Sequence, residues 1–455
     1  MSKILEIKKR IATSSAVAIA QEYLEKINSN KKLNAYIYVS PNVIKDAQIA
    51  DQRIQEGKAR LLEGVPIGVK DLFAVKNFPL TAASKILENY IAPNNATVVQ
   101  KLKDAGAIIL GLHNCDSFGM GSGNIYSIYG PVINPIKNNG EDTIAGGSSG
   151  GTATAVAADL CVIGIGSDTG GSCRNPAAYT GIIGSKLTYG RISRNGLIGY
   201  GASLDCPGIL STTVQDNIMI SEILSGYDPL DAQTYDETWK FTLQNNLKYC
   251  YYGFENWNIL ISGEYSNIST ILEYCVECYM LIATAEAVSN LERYDGIRFG
   301  KRTDKQCKTL KEFYARTRSE GFGDEVQRRI LLGNCVLKNA GFVYHKAAQV
   351  RQWISDWMDQ NIWSKYDILL LPTSLIGAPL LSEFKKMDNQ KVYDSDKFTV
   401  LANLIGAPAI SIPAGINSQG MPMGMQIMAK PFNENAMFSA AQELTAKINI
   451  GQIIC

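Results

Sequence analysis

A chain of 455 residues, 46% of them hydrophobic and 19% charged, is long enough to bury a large core, and its net charge of +1 excludes a basic field that would hold nucleic acid by itself. Ten cysteines at irregular spacing in a chain this large exclude a disulfide framework. No window reaches the apolar length of a membrane span, so no insertion into a membrane is expected.

Taken in chain order, residues 1–20 carry Lys3, Lys8, Lys9 and Arg10 against the single acid Glu6, a pattern compatible with a short organellar presequence. Ser14 also reads as the N-cap of a helix over 15–28. The run Gly64-Val-Pro-Ile-Gly-Val-Lys70-Asp71 predicts a strand that delivers a lysine from an apolar stretch. Residues 134–142 form a polar loop, an alanine-rich stretch over 152–160 predicts a short helix, and the β-branched run 161–165 predicts a buried strand that Gly170-Gly171 ends. Cys275 and Cys278 fall on an apolar helical segment as core thiols rather than metal ligands, and no metal site is expected. No repeat or linker divides the chain. One α/β domain spanning 1–455 is predicted, a mixed sheet covered by helices on both faces, with a helical insertion near 225–365.

Two serines, Ser148 and Ser172, lie in separate glycine-rich turns on either side of the predicted helix and strand. Glycines let the backbone approach a substrate and aim successive N–H groups at a developing oxyanion. A serine nucleophile needs a base. The chain has two histidines, His113 and His345, neither in a suggestive setting, whereas a buried Lys70 would have its pKa lowered toward a neutral, proton-accepting amine. Serine served by lysine is a known variant of triad chemistry. Residues 146–150 match G-x-S-x-G formally, but that motif needs a strand before it and 138–143 is polar. Residues 164–169 lack the third glycine of a dinucleotide fingerprint, and no P-loop is present, so ATP chemistry belongs elsewhere.

The segments GVPIGVKD, GGSSGG and SDTGGSCRNPA, in this order, resemble the amidase signature family. The resemblance implies the amidase signature fold and a Ser–cis-Ser–Lys triad, with Ser172 as nucleophile, Ser148 on a cis peptide as relay, and Lys70 as base. It further implies an oxyanion hole from the N–H groups of Thr169, Gly170, Gly171 and Ser172. Stretches 83–89, 96–103, 188–193, 293–298, 318–329 and 396–413 are similar to the branch that serves tRNA-dependent amidotransferases. That branch implies glutamine as substrate, with Arg329 on its carboxylate, Asp396 on its ammonium, and Ser122 and Tyr279 as further contacts; Arg328, adjacent, is the alternative to Arg329. It also implies no cofactor in this chain, ATP and Mg²⁺ in a B-type partner, a small third component of C or F type, and contact with Glu-tRNA(Gln) mainly through the partner. A stand-alone amidase of another substrate class and a non-catalytic scaffold are the competing possibilities. The compact length and divergent motifs favour a mitochondrial matrix protein slightly over a bacterial cytoplasmic one. Two departures from the family pattern stand out, Cys206 in the block Ser203-Leu-Asp-Cys-Pro-Gly and Ser117 after Asp116. The first is expected to alter a loop near the site, and the second removes a carboxylate.

Overall fold

The computed structural model describes residues 2–236, 238–255, 257, 263–338 and 341–448, except the side chains of residues 389, 390 and 394. Among these residues lie the strands β1 (Tyr36–Val39), β2 (Pro66–Lys70), β3 (Ile108–His113), β4 (Ile163–Asp168), β5 (Ile183–Lys186), β6 (Cys206–Ser211), β7 (Tyr249–Tyr251), β8 (Glu264–Tyr265), β9 (Ile368–Pro372), β10 (Ala409–Ile416) and β11 (Pro422–Ala429). They join in one sheet of order β1-β3-β2-β4-β6-β5-β10-β11-β9-β7-β8. β2 is parallel to β3 and β4, and β7 is parallel to β8 and β9; the remaining neighbours are antiparallel. The sheet is therefore mixed, as expected.

Successive side chains of a strand point to opposite faces, so a strand apolar at every position must be covered twice. β9 does this: Ile368 and Leu370 join one buried cluster, Leu369 and Leu371 the other. Helices therefore pack on both faces. The segment near 225–365 supplies the helices Ser269–Leu291, Leu310–Gly321, Asp324–Lys338 and Phe342–Met358, but it is not purely helical. It also carries β7 and β8, which continue the sheet beyond β9. Three residues of β7 pair with Ile368, Leu369 and Leu370, a run too short to show a period of its own.

The first residues are built into the core. α1 (Lys3–Thr13) buries Ile4, Ile7 and Ile11, and the Asp216 carboxylate accepts the N–H groups of Lys3 (2.7 Å) and Ile4 (3.2 Å) at its positive end. Residues 3–13 are thus part of the fold, which a removable presequence would not be. Ser14 closes this helix instead of opening the next, its hydroxyl donating to Arg10 O at 2.8 Å. Ser15 is the cap of α2 (Ala16–Ser29) and accepts from Ala18 N at 3.0 Å.

Near the two serines the boundaries move by two or three residues from those predicted. The helix runs Gly150–Ala157, and β4 extends to Asp168 because Ser167 and Asp168 pair with Pro207 and Cys206 of β6. Tertiary pairing overrides the polar composition there. Cys206 accordingly opens a strand rather than sitting in a loop, with its thiol directed at Leu204 O (3.7 Å).

Candidate active site

β3, β2 and β4 lie side by side and parallel, so their carboxyl ends open on one edge of the sheet. Lys70 ends β2 there and is fully buried. Its Nζ donates to three hydroxyls, Ser148 Oγ (2.7 Å), Ser149 Oγ (2.9 Å) and Ser167 Oγ (2.9 Å). Burial lowers the pKa of this amine below the usual lysine value, against opposing fields that include Asp116 and Asp168. The three hydroxyls are not equivalent. Ser149 donates its own proton to Ser167 O (3.1 Å), whereas the Ser148 proton has no acceptor among the described residues. The peptide between Gly147 and Ser148 is cis.

The Thr169–Ser172 turn follows β4, and Ser149 N donates to Ser172 O at 3.1 Å, which fastens the two serine turns together. The Ser172 side chain is half-buried and makes no hydrogen bond among the described residues. Glycine is required at both central positions. A Cβ on Gly170 would lie 2.7 Å from Tyr279 Cζ, and Gly171, at φ +127°, would place one 2.2 Å from Thr399 Oγ1. The Gly171 N–H is taken by Asp168 Oδ1 at 2.9 Å, while those of Thr169, Gly170 and Ser172 meet no protein acceptor among the described residues. Three of the four expected oxyanion donors are thus open in this state.

Asp168 is the anchor beneath the turn. Arg174 grips it through Nε–Oδ2 (3.0 Å) and Nη2–Oδ1 (2.8 Å), and both residues are completely buried. Arg174 also donates to Thr399 O (2.9 Å), Asn403 Oδ1 (2.6 Å) and Gln426 Oε1. Burial works to raise the Asp168 pKa, but the charge and hydrogen bonds of Arg174 outweigh it and hold the carboxyl below the usual range. Asp168 and Arg174 were visible in the motif around Ser172; their partners Asn403, Gln426 and Thr399 lie more than two hundred residues away and carry no local signal.

Two charged groups lie near the turn, Asp396 and Arg329, the charge of the second acting on the first. Asp396 accepts Ser122 Oγ at 2.6 Å and lies 3.5 Å from Asn175 Nδ2, and burial pushes its carboxyl up to about 7. Its peptide oxygen accepts Thr399 Oγ1 (3.0 Å), whose hydroxyl reaches Gly170 O (2.7 Å). Arg329 is 3% exposed and donates to Glu325 Oε1 and to Tyr200 OH, each at 2.7 Å. Its ring neighbours are Tyr200 and Tyr393. The Arg328 side chain is 35% exposed and bidentate to Glu325, so of the adjacent arginines Arg329 is the one turned inward. Tyr279 is buried between Gly170 and Tyr200. Asp116 accepts the N–H groups of Asn124 (2.9 Å) and Tyr126 (3.0 Å), with burial raising it to about 6, and the Ser117 hydroxyl beside it donates to Ala83 O (2.6 Å).

Cys275 and Cys278 are buried, their thiols donating to Ile271 O and Ala347 O at 3.2 Å each, and no cluster of potential metal ligands occurs among the described residues. No helix among them is long and apolar enough to cross a membrane. Among the described residues no strand directly precedes the Gly146–Gly150 turn, which removes the nucleophile-elbow alternative.

The chain is similar over nearly its whole length to proteins named as the A component of glutamyl-tRNA(Gln) amidotransferase. The one from Zymomonas mobilis is 39% identical over 94% of this chain and 93% of its own length, and that from Legionella pneumophila 41% identical over 96% and 94%. The crystal structure of the protein of that name from Thermotoga maritima superposes with a TM-score of 0.75 at 32% identity, covering 93% of this chain and 90% of its own. The family model named Amidase matches residues 18–252 and 269–438, and with the buried lysine, the paired serine turns and the mixed sheet already described, the chain belongs to the amidase family.

Proposed function

We propose that this chain is the glutaminase component of a tRNA-dependent amidotransferase that converts Glu-tRNA(Gln) to Gln-tRNA(Gln). The observation that carries the substrate class is the presence of a buried cation, Arg329, and a part-buried carboxyl, Asp396, each tied to the turn that holds Ser172 through its neighbours, the first by way of Tyr200, Asp205 and Thr169, the second by way of Thr399. A free α-amino acid presents the complementary pair, and glutamine adds the amide to be cleaved. The full-length likeness to the named amidotransferase components supports the assembly.

In the proposed mechanism Lys70, once neutral, keeps two of its donated bonds and turns its lone pair to Ser148, accepting the Ser148 proton while Ser148 takes that of Ser172. Ser148 fits the relay better than Ser149 because the Ser149 proton is committed to Ser167 O. Ser172 then attacks the side-chain amide carbon, and the N–H groups of Thr169, Gly170 and Ser172 hold the oxyanion. The relay returns the proton to the leaving nitrogen, ammonia departs, and water cleaves the glutamyl ester by the same route. ATP and Mg²⁺ chemistry is assigned to a B-type partner, with a small third component completing the assembly; tRNA is held mainly by the partner, in keeping with a net charge of +1 on this chain.

The test is ammonia release by the purified chain, alone and with its co-purifying partners, ATP and Glu-tRNA(Gln). Slow turnover alone and acceleration on assembly are expected, because closure by partners prevents loss of ammonia to solvent. A rate indifferent to all of them points to the stand-alone amidase. Substrate recognition is tested separately by Arg329→Ala. Removing one partner of a desolvated charge pair is expected to cost about 2–4 kcal/mol in kcat/KM for glutamine and to spare simple amides without a carboxylate. Equal losses on both substrates assign Arg329 a structural role only.

A further inference from the structure

Arg329 does not stand free at the edge of the site. Its Nη1 donates to Tyr200 OH at 2.7 Å, with the guanidinium carbon 5.4 Å from the centre of that ring. The backbone of Tyr200 is fixed in turn, its N–H donating to Asp205 Oδ2 (2.9 Å) and its carbonyl accepting Asn290 Nδ2 (3.0 Å). The other oxygen of the same carboxyl, Oδ1, accepts the Gly201 N–H (3.2 Å) and the Thr169 hydroxyl (2.7 Å). Tyr200, Asp205 and Thr169 are 2%, 4% and 4% exposed, so water does not compete for these bonds. A second contact runs in parallel: Tyr279 packs its ring against Gly170 and sets its hydroxyl beside that of Tyr200. Thr169 and Gly170 supply two of the open N–H groups of the nucleophile's turn, and both touch the unit that holds Arg329.

We infer that Tyr200 and Asp205 are positioning residues that couple the carboxylate-binding arginine to the oxyanion donors, so that the charged end of glutamine raises turnover as well as affinity. The inference rests on the glutaminase function proposed above. Binding energy from a remote part of a substrate accelerates reaction only when it is expressed at the reacting centre, and a rigid chain of short hydrogen bonds is a means of doing so. An amide without a carboxylate leaves Arg329 unengaged, and keeps only the placement of the turn that the Thr169 tie gives to any substrate.

The experiment uses the full chain with its co-purifying partners and two substrates, glutamine and butyramide. Thr169→Val removes the hydroxyl tie at nearly equal volume. It is expected to lower kcat for both substrates about tenfold, the worth of one buried hydrogen bond, with KM little changed. Thr169→Ser should restore the rate, which a general packing defect would not allow. Tyr200→Phe keeps the ring but not the acceptor for Arg329, and is expected to lower kcat and raise KM for glutamine alone. In the double variant the loss on glutamine should be smaller than the product of the two single losses. Independent, multiplicative effects overturn the coupling, as does an equal effect of Tyr200→Phe on butyramide. A wild-type assembly that hydrolyses butyramide but not glutamine overturns the glutaminase function itself, a result distinct from either.

Discussion

Replacing Lys70 with alanine is expected to reduce glutamine hydrolysis by about 10²–10⁴-fold, the usual contribution of a positioned general base. The fold should survive, as followed by circular dichroism and thermal melting, because among the described residues the lysine makes no ion pair whose loss would strand a buried charge. Its three partners are neutral hydroxyls, and removal of the amine also removes the cost of burying it. The pH dependence of the wild type gives an independent check. Only the neutral amine accepts a proton, and burial lowers the Lys70 pKa below the ordinary 10.5. Activity should therefore rise with pH through that lowered value and level off before pH 10.5 is reached. Near-normal turnover in Lys70→Ala, or an activity that continues to climb to the ordinary lysine range, would sink the lysine assignment. Ser148→Ala is expected to be similarly severe, since the neighbouring hydroxyl of Ser149 already spends its proton on a carbonyl.

What was legible in the sequence follows from how local each signal is. The lysine-ending strand, the two glycine-rich serine turns and the helix and strand between them all arise within runs of a few residues, and the structure forms each within a few positions of its expected bounds. The resemblance to amidases added the order of these pieces, which periodicity alone does not supply. The hydroxyl triplet around Lys70 was harder to see. Ser167 looks like an ordinary polar residue at a strand end, and only the parallel pairing of β2 with β4 brings it within 2.9 Å of the amine. Which of Arg328 and Arg329 turns inward depends on helix phase, which the pair itself does not give; in the structure Arg329 is buried against Tyr200 and Arg328 stays at the surface. β7 and β8 escaped because strands of three and two residues are shorter than any usable period. The N-terminal segment was ambiguous for a different reason. Basic residues with few acids suit both a targeting signal and an amphipathic helix, and the buried isoleucines of α1 separate the two only once packing is known.

The second large effect concerns the ion pair under the Thr169–Ser172 turn. Arg174→Met keeps an apolar chain in place but leaves the Asp168 carboxylate buried without its cation, and is expected to destabilise the protein by about 3–5 kcal/mol. The sign of the pH dependence distinguishes this cause from poor packing. In the wild type the Asp168 pKa is held down, so the pair contributes stability above the unfolded carboxyl value that is lost as pH falls toward the depressed one. Without Arg174 the largest force opposing burial is gone and only the Lys186 charge and the N–H groups of the turn still favour the carboxylate, so the carboxyl rises and the deficit of the variant should narrow as the solution is acidified and Asp168 takes up a proton. A deficit independent of pH would assign the effect to packing. Replacing both partners, Asp168→Asn with Arg174→Met, should recover part of the stability, because no uncompensated charge remains. Activity should not return with it. The carboxylate also accepts the N–H groups of Gly171 (2.9 Å) and Cys173 (3.1 Å), which set the course of the chain on either side of Ser172, and an amide cannot accept with both of its ends. A double variant that regained stability and full turnover together would show that Asp168 only neutralises Arg174 and has no part in shaping the turn.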